Sequence, residues 1–144
     1  MFLRKFLVTL ALLTMILNLS GTAIYAATDK IGFIDTQRIL VAHPKYESSQ
    51  KYVDDFITEK SEAARNAAEK ETDPSKRMEI IDTARRESGL EELRVMNPIT
   101  EDINKVIETV AKSRGVTVVI ERVYVFFGGI DITEDVIKGV KAIK

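Results

Sequence analysis

The chain has 144 residues, with 21 basic and 22 acidic side chains, a net charge of −1 and no cysteine. This charge balance argues against a nucleic-acid partner, and the lack of cysteine excludes disulfides as a source of stability. Stability must therefore come from packing within the chain or from association with other chains.

Residues 1–26 have the pattern of a secretory signal peptide. Arg4 and Lys5 precede an apolar run over residues 6–19, and Ala26 supplies a small residue for cleavage. The run is shorter than the roughly 20 residues that span a bilayer. We therefore expect cleavage after Ala26, export to the periplasm and no stable membrane anchor. The mature chain would keep 19 basic and 22 acidic residues, a net charge of −3.

The first element of the mature chain is a predicted strand over residues 30–35. Its alternating pattern places Ile31 and Phe33 together on one face. A brief helical turn follows, for which Asp35 or Thr36 is the predicted cap.

A long helix is predicted next, because residues 45–71 contain neither glycine nor proline and Pro44 is suited to the first helical position. Apolar or small residues recur at spacings of three, four and seven, which is typical of one helical face. Counted from Pro44 the helix would have 28 residues and would span about 42 Å, too long for a compact domain of this size. The predicted stripe narrows toward alanine and comprises Tyr46, Val53, Phe56, Ile57, Ala63, Ala64 and Ala67.

The chain is predicted to turn back at Asp73 and Pro74, a pair that suits a helix cap and first helical position. The return helix is expected to break at Asn97 and Pro98, to resume and to end at Gly115. Before the break the return helix carries the apolar or small residues Met78, Ile81, Ala84, Leu90, Leu93 and Met96.

Two further strands are predicted over residues 116–120 and 123–127, which are rich in β-branched and aromatic residues. Gly128 and Gly129 would end the second strand. Thr133 is the predicted cap of a last helix that has acidic residues in its first turn.

The order of elements predicts an α+β fold, with a small β body, a long protruding antiparallel helical hairpin and a short C-terminal helix. We expect one domain over residues 27–144, with its body in 27–43 and 111–144 and its arm in 44–110. Three short strands provide little core, so we expect the body to assemble in a homo-oligomer. The candidate assembly residues are Ile31, Phe33, Val118, Ile120, Val123, Val125 and Phe127.

Residues 30–40 read KIGFIDTQRIL, and residues 116–138 contain the segment GGIDIT. In these segments and in the order of its elements the mature chain resembles the OmpH/Skp family of periplasmic chaperones. The resemblance implies a trimer whose strands form a β body, with three helical hairpins that enclose unfolded outer-membrane proteins.

Two features set this chain apart within that resemblance. Its predicted arm is short, and residues 45–110 contain 11 basic and 16 acidic residues, a net charge of −5. We therefore describe it as a short-armed, acidic member, and no lipopolysaccharide or acidic-lipid site is carried over to it.

The implied function is that of an ATP-independent holdase, which binds unfolded outer-membrane or envelope proteins and prevents their aggregation. The alternative is a structural or adaptor coiled-coil protein of the cell envelope that binds folded partners. Along the arm, Tyr46, Tyr52, Val53, Phe56 and Ile57 either fill the base of the hairpin or contact clients.

No set of residues in the sequence predicts catalysis or a cofactor. There is no cysteine nucleophile, no phosphate-binding loop and a single histidine, His43, which is interpreted as a capping or surface residue rather than a metal ligand. Acidic residues of the arm alternate with basic ones at helical spacing, which favours a solvated face over an ion site.

Overall fold

A computed structural model describes residues 29–143 and contains three short strands and four α-helices. The predicted signal peptide, residues 1–26, lies outside this part of the chain. Within it, no helix is both long and apolar enough to cross a membrane. In chain order the elements are β1 (Ile31–Ile34), α1 (Thr36–Ala42), α2 (Tyr46–Lys70), α3 (Pro74–Arg114), β2 (Val118–Glu121), β3 (Ile130–Asp131) and α4 (Thr133–Lys141).

The three strands form one parallel sheet in which β1 is central and β2 and β3 occupy its two edges. Ile31 is paired with Val118, and Phe33 with Ile120, so these four side chains share one face of the sheet. The predicted α+β fold with a projecting helical hairpin is confirmed, and the strand predicted over residues 30–35 is present as β1.

The prediction of a strand over residues 123–127 was wrong. A short 3₁₀ turn occupies Arg122–Tyr124, and the N–H of Val125 donates to the carbonyl oxygen of Arg122. Both edges of β1 are already paired, by β2 and β3, so among residues 29–143 this apolar segment has no free strand edge beside it. Gly128 and Gly129 have positive φ angles of 76° and 88° and redirect the chain so that β3 reaches β1.

The arm is a hairpin of α2 and α3, which have 25 and 41 residues and are therefore about 37 and 61 Å long. The predicted turn is confirmed: Asp73 caps α3 by accepting a hydrogen bond from the N–H of Ser75, and Pro74 is at the first helical position. The outgoing helix begins at Tyr46 rather than at Pro44, because the segment between His43 and Tyr46 forms a separate turn.

The predicted break at Asn97 and Pro98 was also wrong, because α3 continues through both residues to Arg114. A proline removes one donor, here the one that would bond to the carbonyl oxygen of Arg94. The helix is held on the C-terminal side of Pro98 by Ile99 and Ile103, which are both buried in the body core. Gly115 ends the helix in the left-handed conformation, as predicted.

The core lies where the base of α3 meets α1, α4 and the inner face of the sheet. Its fully buried centre includes Ile39, Ile132, Val136 and Val140. Thr133 is buried here too, but it does not cap α4 as predicted: its hydroxyl oxygen accepts a hydrogen bond from the N–H of Asp35, at 3.1 Å, and so connects α4 to the end of β1.

The contact between α2 and α3 is narrower than the predicted stripe. Val53 and Ala64 are the buried residues of α2, whereas Ala63 and Ala67 are exposed. On α3, the large apolar residues Met78, Leu90 and Leu93 are exposed. A two-helix hairpin buries one face of each helix, so apolar residues away from that face remain in solvent.

Candidate functional site

The predicted arm residues are not equivalent in the structure. Val53 is buried between the helices, Tyr46 and Phe56 are partly buried, and Tyr52 and Ile57 are exposed. Val53 therefore fills the space between the helices of the hairpin. Tyr52 and Ile57 instead present apolar surface that a partner could contact.

Tyr52 belongs to a hydrogen-bond network that joins the two arm helices. Its hydroxyl donates to Glu91 Oε1 at 2.8 Å, and Arg94 donates to both carboxylate oxygens of Glu91, at 2.6 and 2.8 Å. The hydrogen bonds from Arg94 and from Tyr52 lower the pKa of Glu91 to about 2. The carboxylate is therefore charged throughout the neutral range, and it fixes the tyrosine ring against α3.

A second cross-helix contact continues the same edge of the hairpin. The ring of Phe56 stacks on Tyr52, with ring centroids 6.3 Å apart, and Lys60 Nζ lies 5.6 Å from the centroid of the Phe56 ring. Lys60 also donates to Glu87 of α3 at 2.8 Å. These contacts close one edge of the hairpin, which we call the ladder edge.

The other edge of the hairpin is open and forms a groove of about 870 Å³ near the turn. Its walls come from residues 57–69 of α2 and 77–92 of α3. No residue of the ladder edge lines it. We call this cavity the distal groove. It contains apolar residues and three arginines, Arg65, Arg77 and Arg85, none of which was predicted as a site residue.

A different apolar surface covers the body. The outer sheet face, formed by Ile31, Phe33, Val118 and Ile120, is exposed or partly exposed. The neighbouring segment, residues 123–127, is mostly exposed as well: Phe126 and Phe127 are fully exposed and Val125 is partly buried. We call this segment the aromatic loop. The assembly residues predicted from the sequence included Phe127 but not Tyr124 and Phe126, which are exposed as well.

His43 is a capping residue, the first of the two roles considered from the sequence, and it is buried rather than at the surface. Only 3% of it is exposed, and Nδ1 accepts a hydrogen bond from the N–H of Lys45 at 3.2 Å. The other ring nitrogen, Nε2, has no hydrogen-bond partner in the part of the chain that the structure describes. Burial lowers the pKa of His43, although the nearby Asp102 carboxylate opposes that shift. The described residues contain no group of three or more histidine, aspartate or glutamate side chains placed to hold a metal ion.

These features define a class of protein, in which a small α+β body carries a projecting helical hairpin and both parts expose apolar surface. A family model described as Outer membrane protein (OmpH-like) matches residues 58–140, more than half of the chain. The chain belongs to the OmpH-like family, a family of periplasmic chaperones for outer-membrane proteins. No curated protein matches the chain.

Proposed function

We propose that the protein is an ATP-independent holdase of the periplasm, which binds unfolded outer-membrane or envelope proteins and prevents their aggregation. In this proposal residues 1–26 are the signal peptide and residues 27–144 form a single chaperone domain, with its body in 27–43 and 111–144 and its arm in 44–110. Membership in the OmpH-like family supports the kind of partner.

The observation that carries the proposal is the exposure of large apolar side chains along a thin hairpin. Tyr52, Ile57, Met78, Leu90 and Leu93 are all exposed on the arm. They are distributed over both helices, so they offer several separate weak contacts to a flexible chain. Weak contacts made together give an affinity that none gives alone. Holding an unfolded chain in this way requires neither a catalytic residue nor a cofactor.

We also propose that the protein is a homotrimer assembled through its body. The outer sheet face and the aromatic loop form an apolar surface on a mature chain with little core of its own. Large exposed apolar patches mark interaction sites, and burial between identical chains would remove this one from water. The arms would then project from a common base.

Light scattering tests the proposal. A β-barrel membrane protein unfolded in urea is diluted with and without the exported, processed protein, and the mass of the protein is measured on the same sample. Suppressed aggregation without ATP, by a trimer, is the expected result. No suppression at equal ratios of trimer to client would overturn the holdase function and favour an adaptor that binds folded partners.

A further inference from the structure

The distal groove has an apolar floor between the two arm helices. Ile57 and Ile81 lie on opposite walls, and Ala64, Ala68 and Ala84 line the cavity between them. Small side chains at these positions leave space that leucine or isoleucine would fill in a tightly packed hairpin. Since the hairpin itself does not fill the cavity, apolar side chains from another chain would find unoccupied surface there.

Gly89 is a second, independent indication that the groove stays open for a ligand. It lies inside α3, where glycine costs about 1 kcal/mol relative to alanine. A Cβ atom added at Gly89 would meet no atom within 4 Å, so helix packing does not require the glycine. Since Gly89 lines the groove, any larger side chain there would project beside the cavity and narrow it.

The charge of the groove is opposite to that of the arm around it. Arg65, Arg77 and Arg85 line it together with two glutamates, whereas residues 45–110 have a net charge of −5. Among residues 29–143, no carboxylate lies within 4.0 Å of the guanidinium nitrogens of Arg65 or Arg77. Arg77 Nε donates to the backbone carbonyl oxygen of Glu71. The Arg65 guanidinium and the two Nη atoms of Arg77 are thus available for a carboxylate from outside.

The dimensions of the groove fit a short extended peptide segment. From Ile57 to Glu69 the α2 wall rises about 18 Å. An extended chain rises about 3.3 Å per residue, so the groove accommodates about five or six residues. Alternate side chains of such a segment would point toward the floor, and the others would point toward the rim.

We propose that the distal groove binds an extended segment of an unfolded client in which apolar side chains alternate with aspartate or glutamate. The apolar side chains contact the floor between Ile57 and Ile81, and the carboxylates pair with Arg65 and Arg77. The inference rests on the proposed holdase function and adds to it a location on the arm and a sequence preference in the client. The acidic remainder of the arm repels carboxylates, which directs such segments to the groove.

The test uses a short peptide that contains one tryptophan and alternates valine with aspartate, and a matched peptide with lysine in place of aspartate. The protein contains no tryptophan, so the fluorescence of the probe reports on the peptide alone. Binding is measured for the exported wild-type protein, for Gly89→Leu and for Asn66→Leu. Asn66 is exposed on α2 and does not line the groove, so Asn66→Leu controls for an added leucine on the arm.

We expect the wild type and Asn66→Leu to bind the aspartate peptide more tightly than the lysine peptide. Gly89→Leu should weaken binding of the aspartate peptide about tenfold or more, while raising thermal stability because leucine favours the helix. Arg65→Gln and Arg77→Gln should each weaken binding of the aspartate peptide about fivefold or less, because the pairs are exposed, and should not weaken binding of the lysine peptide.

Light scattering with the full-length client separates failure of the groove from failure of the holdase function. If the wild type suppresses aggregation but Gly89→Leu binds the peptide equally well, the groove assignment is wrong and the holdase function stands. If Gly89→Leu changes only the oligomeric mass, the groove is a contact between copies and the proposal is overturned. If the wild type neither suppresses aggregation nor binds the aspartate peptide, both proposals fail.

Discussion

His43 Nε2 lies 4.0 Å from Asp102 Oδ2, and this approach joins the start of the arm to the long return helix. The imidazole also caps the turn before α2 through the N–H of Lys45. Asp102 in turn pairs with Lys105, at 3.2 Å. The buried imidazole therefore lies where α1, α2 and α3 meet, which we call the joint between arm and body. Its protonation state affects this joint.

We predict that this joint makes the protein less stable in mild acid. Burial lowers the pKa of folded His43 below its ordinary value of 6.5, while the unfolded chain retains the ordinary value. As the pH falls through 6.5, the unfolded state therefore takes up the proton first, and folding stability decreases until the pH reaches the lower folded pKa. Thermal unfolding at pH values on either side of 6.5 measures the loss.

The matched variant for this prediction is His43→Gln, which keeps a polar side chain but does not titrate. Its melting temperature should be lower than that of the wild type at neutral pH, and it should decrease less on acidification. A wild-type protein that gains stability between neutral pH and mild acid, relative to His43→Gln, would mean that attraction to Asp102 outweighs the cost of burial.

Gly139→Ala should destabilise the protein, although alanine normally favours a helix by about 1 kcal/mol over glycine. A Cβ atom at Gly139 would lie 2.5 Å from Val106 Cγ1, since α4 packs closely on α3 at this point. Overpacking of this kind costs about 1–3 kcal/mol, so after the gain in helix propensity we expect a net loss of about 1 kcal/mol, and at most about 2 kcal/mol, in the free energy of unfolding. Urea denaturation followed by circular dichroism measures it.

A double-mutant cycle shows whether the contact is the cause. Val106→Ala removes the methyl group that the Cβ atom introduced by Gly139→Ala would meet. Adding Gly139→Ala to Val106→Ala should therefore restore part of the stability that Val106→Ala loses. If the two substitutions are simply additive, the close approach of α3 and α4 is not responsible for the effect.

Features decided by neighbouring residues could be predicted from the sequence. Asp73 before Pro74 starts a helix and Gly115 ends one, and both were predicted because caps depend on local backbone geometry. The strand predicted over residues 123–127 depended on a free sheet edge, and local pattern carries no information on which edges of β1 are paired. In the structure, this apolar and aromatic segment forms exposed surface instead of a strand.

The distal groove could not be predicted for a related reason. Arg65, Arg77 and Gly89 are far apart in the sequence, and their proximity depends on how α2 and α3 are rotated against each other. The sequence pattern gives the apolar face of a helix only approximately, as the exposed Leu90 and Leu93 show. The glycine at position 89, inside the helical pattern that precedes Asn97, was the one available signal.

Pro98→Ala should stabilise the protein by about 1–3 kcal/mol, because alanine restores the donor to the carbonyl oxygen of Arg94 in the middle of α3. The side chain at this position is exposed, so little packing is lost. Urea denaturation measures the gain. Pro74→Ala is the control, since a first-turn residue has no intrahelical acceptor and should change stability little. A loss of stability in Pro98→Ala would mean that the body core depends on the proline's effect on the helix.

The aromatic loop should control oligomer mass. Phe126 and Phe127 are fully exposed in the single chain, beside the exposed outer sheet face. If this surface is buried between copies, Phe126→Ser with Phe127→Ser should convert the oligomer into monomers without loss of helix content, because neither ring contributes to the body core. Analytical ultracentrifugation and circular dichroism measure the two properties.

Leu90→Ser with Leu93→Ser is the matched control, because it removes two exposed apolar side chains from the arm instead of the body. This variant should keep the wild-type oligomeric mass and lose affinity for unfolded clients. The loop variant should instead have the mass of a monomer. Equal masses for all three proteins would show that the aromatic loop does not hold the copies together. The exposed phenylalanines would then be available to clients, and the loop variant should suppress aggregation less well than the wild type.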